Sequence, residues 1–118
     1  MNGKELVKVM VKALDAKKAE NIEIIKIADL PGNVLADYFV IASGSSSTHV
    51  KTLAEEAEHA LSLLGVEPKG IEGRASGWIL LDYRDVVLHV FNAESRAFYN
   101  LERLWEDGET IPMGELLD

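Results

Sequence analysis

The sequence predicts an α/β fold of the mixed, α+β-like kind: a single domain with a five-stranded mixed sheet and packed helices, in the order α-β-β-α-β-β-β-α. Three observations carry this. Two amphipathic stretches, near the N-terminus and after Ser47, repeat their apolar residues at helical spacing. Two runs, NIEIIKIAD and DYFVIAS, are rich in isoleucine, valine and aromatics, as strands are. The stretch Gly77 to Phe91, GWILLDYRDVVLHVF, reads as two short strands around a polar turn, with a helix directly after it.

Residues 4–19 form the first helix, with Leu6, Val7, Met10, Val11 and Leu14 on one side and Lys4, Glu5, Lys8, Lys12 and Asp15 on the other. Asn21 to Asp29 is a strand, ended by the turn Leu30-Pro31-Gly32-Asn33. Asp37 to Ser43 is apolar nearly throughout, which predicts a central strand covered on both faces. Gly44-Ser45-Ser46-Ser47-Thr48 supplies backbone freedom and caps for a helix running to Leu64. That helix buries Val50, Leu53, Ala54, Ala57, Leu61 and Leu64 and stops at Gly65. Ile71 to Ala75 is a short edge strand between glycines, and the hairpin follows. A last helix from about Ser95 to Trp105 aligns Phe98, Leu101 and Trp105. The expected domain is residues 1–105, and residues 106–118 form an acidic, loosely held tail.

At 118 residues, 47% hydrophobic and 27% charged, the chain buries a core without metals or disulfides. No apolar run approaches the ~18 residues of a spanning helix. The N-terminal stretch reads as a folded helix, with neither a signal nor a transit peptide evident. Zero cysteines exclude thiol catalysis and cysteine-ligated zinc and agree with a reducing, cytoplasmic location. The net charge of −8, from 20 acidic and 12 basic residues, opposes broad binding to nucleic-acid backbones and favours a basic protein partner. Negative charge also keeps a chain soluble without any partner, so both readings stand.

A strand, a Gly-Ser loop and a helix together form a place for a phosphate, since free N–H groups point out of a helix N-terminus. The loop Ser45 to Thr48 lacks the Gly-Lys-Ser/Thr of a P-loop and the spaced glycines of a dinucleotide fingerprint, and serines before a helix are usually caps. A nucleotidyl-transfer enzyme would need two or three carboxylates on adjacent strands to hold magnesium. Asp82 and Asp85 flank a turn, Asp29 and Asp37 sit at strand ends, and no Asp-x-Asp occurs. His49, His59 and His89 lack metal-ligand spacing, and no G-x-S-x-G elbow is present. No catalytic residue, metal or cofactor is therefore assigned.

With an even-residue turn in the hairpin, Ile79 and Leu81 lie across from Val86, Leu88 and Val90, forming an aliphatic face for the core. Trp78 and Leu80 then share a face with His89 and Val87, ending in Asp82 and Asp85, a mixture suited to protein contact. An odd turn re-sorts these residues, and Trp78 reads either as core or as interface.

The blocks DYFVIASGSSSTHVKTLAEE, GWILLDYRDVVLHVF and RAFYNLERLW resemble the ribosomal silencing factor family (RsfS, also called Iojap or YbeB-like), in the family's order and over nearly the whole chain. The resemblance implies a nucleotidyltransferase-like fold without its catalytic carboxylates. It also implies a non-enzymatic repressor of translation that binds the large ribosomal subunit through ribosomal protein L-fourteen and blocks joining of the small subunit. Homodimers occur in the family, and neither sequence-specific nucleic-acid binding nor a membrane is implied. The matching block places Trp78, Asp82, Tyr83, Asp85 and His89 at the contact, with Arg96 and Tyr99 in support. Arg84 departs from the pattern, standing in the turn where the family often has glycine.

Overall fold

A computed structural model of the chain describes residues 1–32, 35–73 and 77–117. Asn33 of the predicted turn, Arg74 and Ala75 of the predicted edge strand, and Asp118 lie outside the described residues. The elements are α1 (Gly3–Ala16), β1 (Glu20–Lys26), β2 (Tyr38–Gly44), α2 (Ser47–Ser62), β3 (Gly70–Glu72), β4 (Trp78–Asp82), β5 (Val86–Asn92), α3 (Ala93–Tyr99), α4 (Leu101–Leu104), β6 (Glu109–Thr110) and α5 (Gly114–Leu117). One mixed sheet runs in the order β3-β4-β5-β2-β1-β6, with β2 and β5 parallel at its centre and the other pairs antiparallel.

Local signals in the chain set the helix ends. Asn2 caps α1 by accepting from the Glu5 N–H at 2.9 Å, and the Glu5 carboxylate accepts from the Asn2 N–H at 3.3 Å, a capping box. Its stripe of Leu6, Val7, Met10, Val11 and Leu14 is buried, each such side chain contributing roughly 1.5–3 kcal/mol relative to exposure. At the C-terminus of α2, Gly65 takes φ +78°, the Val66 N–H donates to the Leu61 carbonyl and the Gly65 N–H to that of Ser62, which is a Schellman stop. Gly44 is required at the β2–α2 junction, because a Cβ there would come within 2.8 Å of the Val50 backbone nitrogen.

The sheet is covered unequally. On one face α1 and α2 pack on Ile24, Val40, Ala42, Ile79, Leu81, Val86, Leu88 and Val90 to form the larger core. On the other, Ile25, Ile27, Phe39, Ile41 and Phe91 gather with Leu101 and Trp105 into a smaller one. β2 is buried along nearly its whole length, the covered central strand that its composition predicts.

Four expectations are corrected. The sheet has six strands, since Glu109–Thr110 pairs with Ile25 and Lys26; two polar residues give no strand pattern of their own. That pairing, with Ile111 and Met113 packed on the larger core, ties the segment after Trp105 to the body of the fold. The last helix is two pieces, broken where Asn100 turns left-handed at φ +45°. Leu64 is exposed, because α2 has already ended and the Gly65 turn carries the chain away from the core.

The hairpin turn is tight. The Tyr83 N–H donates to the Val86 carbonyl at 2.9 Å, leaving Arg84 and Asp85 as a two-residue loop. Arg84 sits at φ +71° with its N–H held by Asp82 Oδ1 at 2.8 Å. A side chain in the left-handed region costs about 1–2 kcal/mol, and glycine gives back part of that gain through its freer unfolded chain. Arg84→Gly is therefore expected to raise stability by about 0.5–1 kcal/mol in urea unfolding. A loss of stability would show that the arginine side chain contributes more than its backbone costs.

Candidate partner-docking face

The even register is the one that forms: Trp78 pairs with Phe91, Ile79 with Val90, Leu80 with His89, Leu81 with Leu88 and Asp82 with Val87. Side chains alternate across a strand, so Trp78, Leu80 and Asp82 stand on the face away from α1 and α2, beside Val87, His89 and Phe91. Phe39 of β2 meets the His89 ring edge-on at 4.8 Å. The short helices α3 and α4 cover only one side of this face. Tyr99 lies 4.6 Å from Trp78 between ring centroids, and Trp105 meets Phe39 at 5.2 Å. Trp78, Leu80, Asp82 and Val87 are left half-buried.

A clasp from α3 supports the aromatic group. Arg96, with its side chain only 10% exposed, donates through Nη1 to Ser43 Oγ at 2.8 Å and through Nε to Glu102 at 3.4 Å. This ties α3 to the central strand and to α4, and so fixes Tyr99 over Trp78.

His89 is 4% exposed. The Trp78 indole N–H donates to its Nδ1 at 3.1 Å, so the ring proton sits on Nε2. Among the described residues Nε2 has no hydrogen-bond partner, a cost of about 1–3 kcal/mol for a buried polar group. Burial lowers the pKa from 6.5 to about 4, so the ring is neutral at physiological pH.

The predicted contact residues do not all share this face. Trp78, Asp82 and His89 do. Asp85 is exposed in the turn, and its carbonyl accepts from the Asp37 N–H at 2.7 Å. Tyr83 points the other way, into the core beneath the helices, where it is 5% exposed. Desolvation by burial, then the nearby Glu58 and Glu67 carboxylates, push its hydroxyl up to about 12. Of the supporting residues, Arg96 and Tyr99 both buttress the face. Phe39 and Phe91, its aromatic floor, were not singled out as site residues; their alternation along β2 and β5 is the signal that places them there.

The Ser45–Thr48 loop is occupied by its own chain. Ser46 Oγ accepts from the His49 N–H, the Ser45 N–H donates to His49 Nδ1 at 2.8 Å, and His49 Nε2 donates to the Lys17 carbonyl at 2.8 Å. Asp37, Asp82 and Asp85 line an open recess of about 410 Å³, but Lys69 and Arg84 line it too. Among the described residues no group of three or more histidines and carboxylates is placed to hold a metal ion.

This geometry defines a class: a small α/β domain whose distinctive feature is a half-open sheet face with an aromatic centre and an acidic end. The chain belongs to the ribosomal silencing factor family, whose model, "RsfS: Ribosomal silencing factor during starvation", matches residues 1–118. It is 38% identical over 114 residues to the ribosomal silencing factor RsfS of Halalkalibacterium halodurans, covering 96% of each chain. It is 37% identical over 117 residues to that of Bacillus subtilis, covering 98% of this chain and 95% of the relative. A crystal structure of a Chromobacterium violaceum protein superimposes with a TM-score of 0.84 at 34% identity, over 90% of this chain and 88% of that one.

The histidine makes a stability prediction. Unfolded, His89 takes up a proton below about pH 6.5; folded, it does so only near pH 4. The unfolded state therefore binds more protons in that window, and stability falls as pH drops through it. The loss attributable to this residue is about 3 kcal/mol. Urea unfolding from pH 7 to 4 should show the wild type losing that much more than His89→Phe. Parallel curves would mean that the imidazole is not desolvated as described.

Proposed function

We propose that this chain is a ribosomal silencing factor that docks on the large subunit through ribosomal protein L-fourteen and obstructs small-subunit joining, repressing translation in the cytoplasm without a cofactor. The observation that carries this reading is the half-buried Trp78 at the start of β4, on a sheet face that α3 and α4 cover only in part. An aromatic side chain in that setting is the usual form of an interface anchor, worth 2 kcal/mol or more at a hot spot. Asp82 and Asp85 supply the acidic rim, and the net charge of −8 favours a basic protein over bare RNA. The mechanism needs no chemistry. A body of 36 × 34 × 28 Å placed on a surface that must be clear for joining excludes the other subunit by its bulk. Phe98 of α3 and Leu104 of α4, 77% and 71% exposed, are apolar side chains that a homodimer would cover. The nucleotide-binding alternative has no observation in its favour, since the Ser45–Thr48 loop is bonded to His49.

Sedimentation with isolated large subunits tests this. Trp78→Ala, checked for folding, is expected to weaken binding about 30-fold or more, and Asp82→Lys about fivefold, chiefly through slower association. The wild type should lower the yield of joined ribosomes in proportion to its occupancy and without added nucleotide. Unchanged binding by both variants would move the docking site elsewhere. Binding that persists on subunits lacking L-fourteen would exclude that protein as the receptor.

A further inference from the structure

We propose that His89 acts as a positioning residue for Trp78, its Nδ1 selecting the orientation in which the indole meets the partner, while the imidazole itself makes no partner contact. The inference rests on the docking reading above and concerns how that face is held ready.

Three observations lead to it. Trp78 lies against Phe91 at 5.0 Å and 27° and against Tyr99 at 4.6 Å and 47°. Contacts of this kind hold the plane of an indole but distinguish poorly between its two edges. The hydrogen bond to His89 Nδ1 at 3.1 Å distinguishes them, because the indole has a single N–H and it can only donate. Finally, His89 is 4% exposed and its Nε2 has no partner among the described residues. A phenylalanine would fill this aromatic site without burying an unpartnered Nε2, but it would deprive the Trp78 indole N–H of this acceptor, so packing alone does not account for an imidazole. What the imidazole adds is an acceptor at Nδ1.

Protonation removes that acceptor, turning Nδ1 into a donor that faces the indole donor. The rings packed on His89 from β2 and β5, Phe39 and Phe91, are uncharged. On β4, Asp82 lies one residue pair further along the same face, opposite Val87. Arg96 of α3 and Glu102 of α4 are paired to each other. The cation would thus have no carboxylate bonded to it, in agreement with its pKa falling to about 4 through burial.

The test combines spectroscopy with binding. Long-range proton–nitrogen spectra of uniformly 15N-labelled protein should show His89 with Nδ1 unprotonated and Nε2 protonated at neutral pH; a protonated Nδ1 overturns the proposal. The Trp78 indole cross-peak, identified by its loss in Trp78→Phe, should move in His89→Phe and return in His89→Asn, whose side-chain oxygen reaches the Nδ1 position. Binding to isolated large subunits should fall about tenfold or more in His89→Phe and stay within about threefold in His89→Asn. Wild-type binding by His89→Phe, with Trp78→Ala defective, overturns the positioning role and leaves the docking face in place. Wild-type binding by Trp78→Ala overturns the docking face itself. Should His89→Phe not fold, acid titration of the wild type decides. The indole cross-peak must shift with a midpoint near 4, and one that does not respond overturns the proposal.

Discussion

In the β4–β5 hairpin, a loop of two residues, Arg84 and Asp85, sets the pairing of Asp82 with Val87 and every pair behind it. Side chains alternate with period two, so one more loop residue on either strand would exchange its two faces. Trp78 would then enter the core beneath α1 and α2, and Ile79 and Leu81 would face outward. The turn is held by Asp82, which accepts the Arg84 N–H, and by a backbone bond from Asp85 to Tyr83. Arg84 bears a left-handed backbone to make it possible. The strain of one residue thus maintains both the aliphatic core and the aromatic face.

The two faces of the sheet differ in how they are covered, and this makes one of them available. α1 and α2 are 14 and 16 residues long, enough to lie along the sheet and close the larger core. α3 and α4, of seven and four residues, are too short to do so. The break at Asn100 divides them, and the Arg96–Ser43 bond anchors the first piece at the end of β2. What they leave open is the strip from Trp78 to Asp82. The buried rings of Phe39, His89 and Phe91 form its floor, and Trp78, Leu80 and Val87 are the apolar side chains that reach its open side.

Most of the fold was legible because its signals are local and periodic. The stripe of α1, the apolar run of β2, Gly65 after α2 and the alternation in the hairpin each state their own structure. The misread parts lack such a signal. β6 is two polar residues whose strand character comes entirely from the edge of β1. The break at Asn100 is one backbone angle within a helical pattern. The site was half legible. Alternation assigned Trp78, Leu80, Val87 and His89 to one face once the loop length was even. The family block grouped Tyr83 with them, although alternation from Asp82 already directs it to the core.

The charge and the aromatic face complement each other in the docking proposal. A surface ion pair contributes about 0–1 kcal/mol, so Asp82 and Asp85 alone would not hold a partner. Their effect is on encounter: a net charge of −8 attracts a basic protein and keeps the chain off the phosphate backbone that surrounds it on a ribosome. Residence then depends on burying Trp78 and the strip beside it, a term insensitive to salt. Raised ionic strength should accordingly slow association of the wild type and leave its dissociation nearly unchanged. Loss of the aromatic anchor should do the reverse. The division of labour follows from geometry, with carboxylates at the exposed turn and rings within the half-covered sheet.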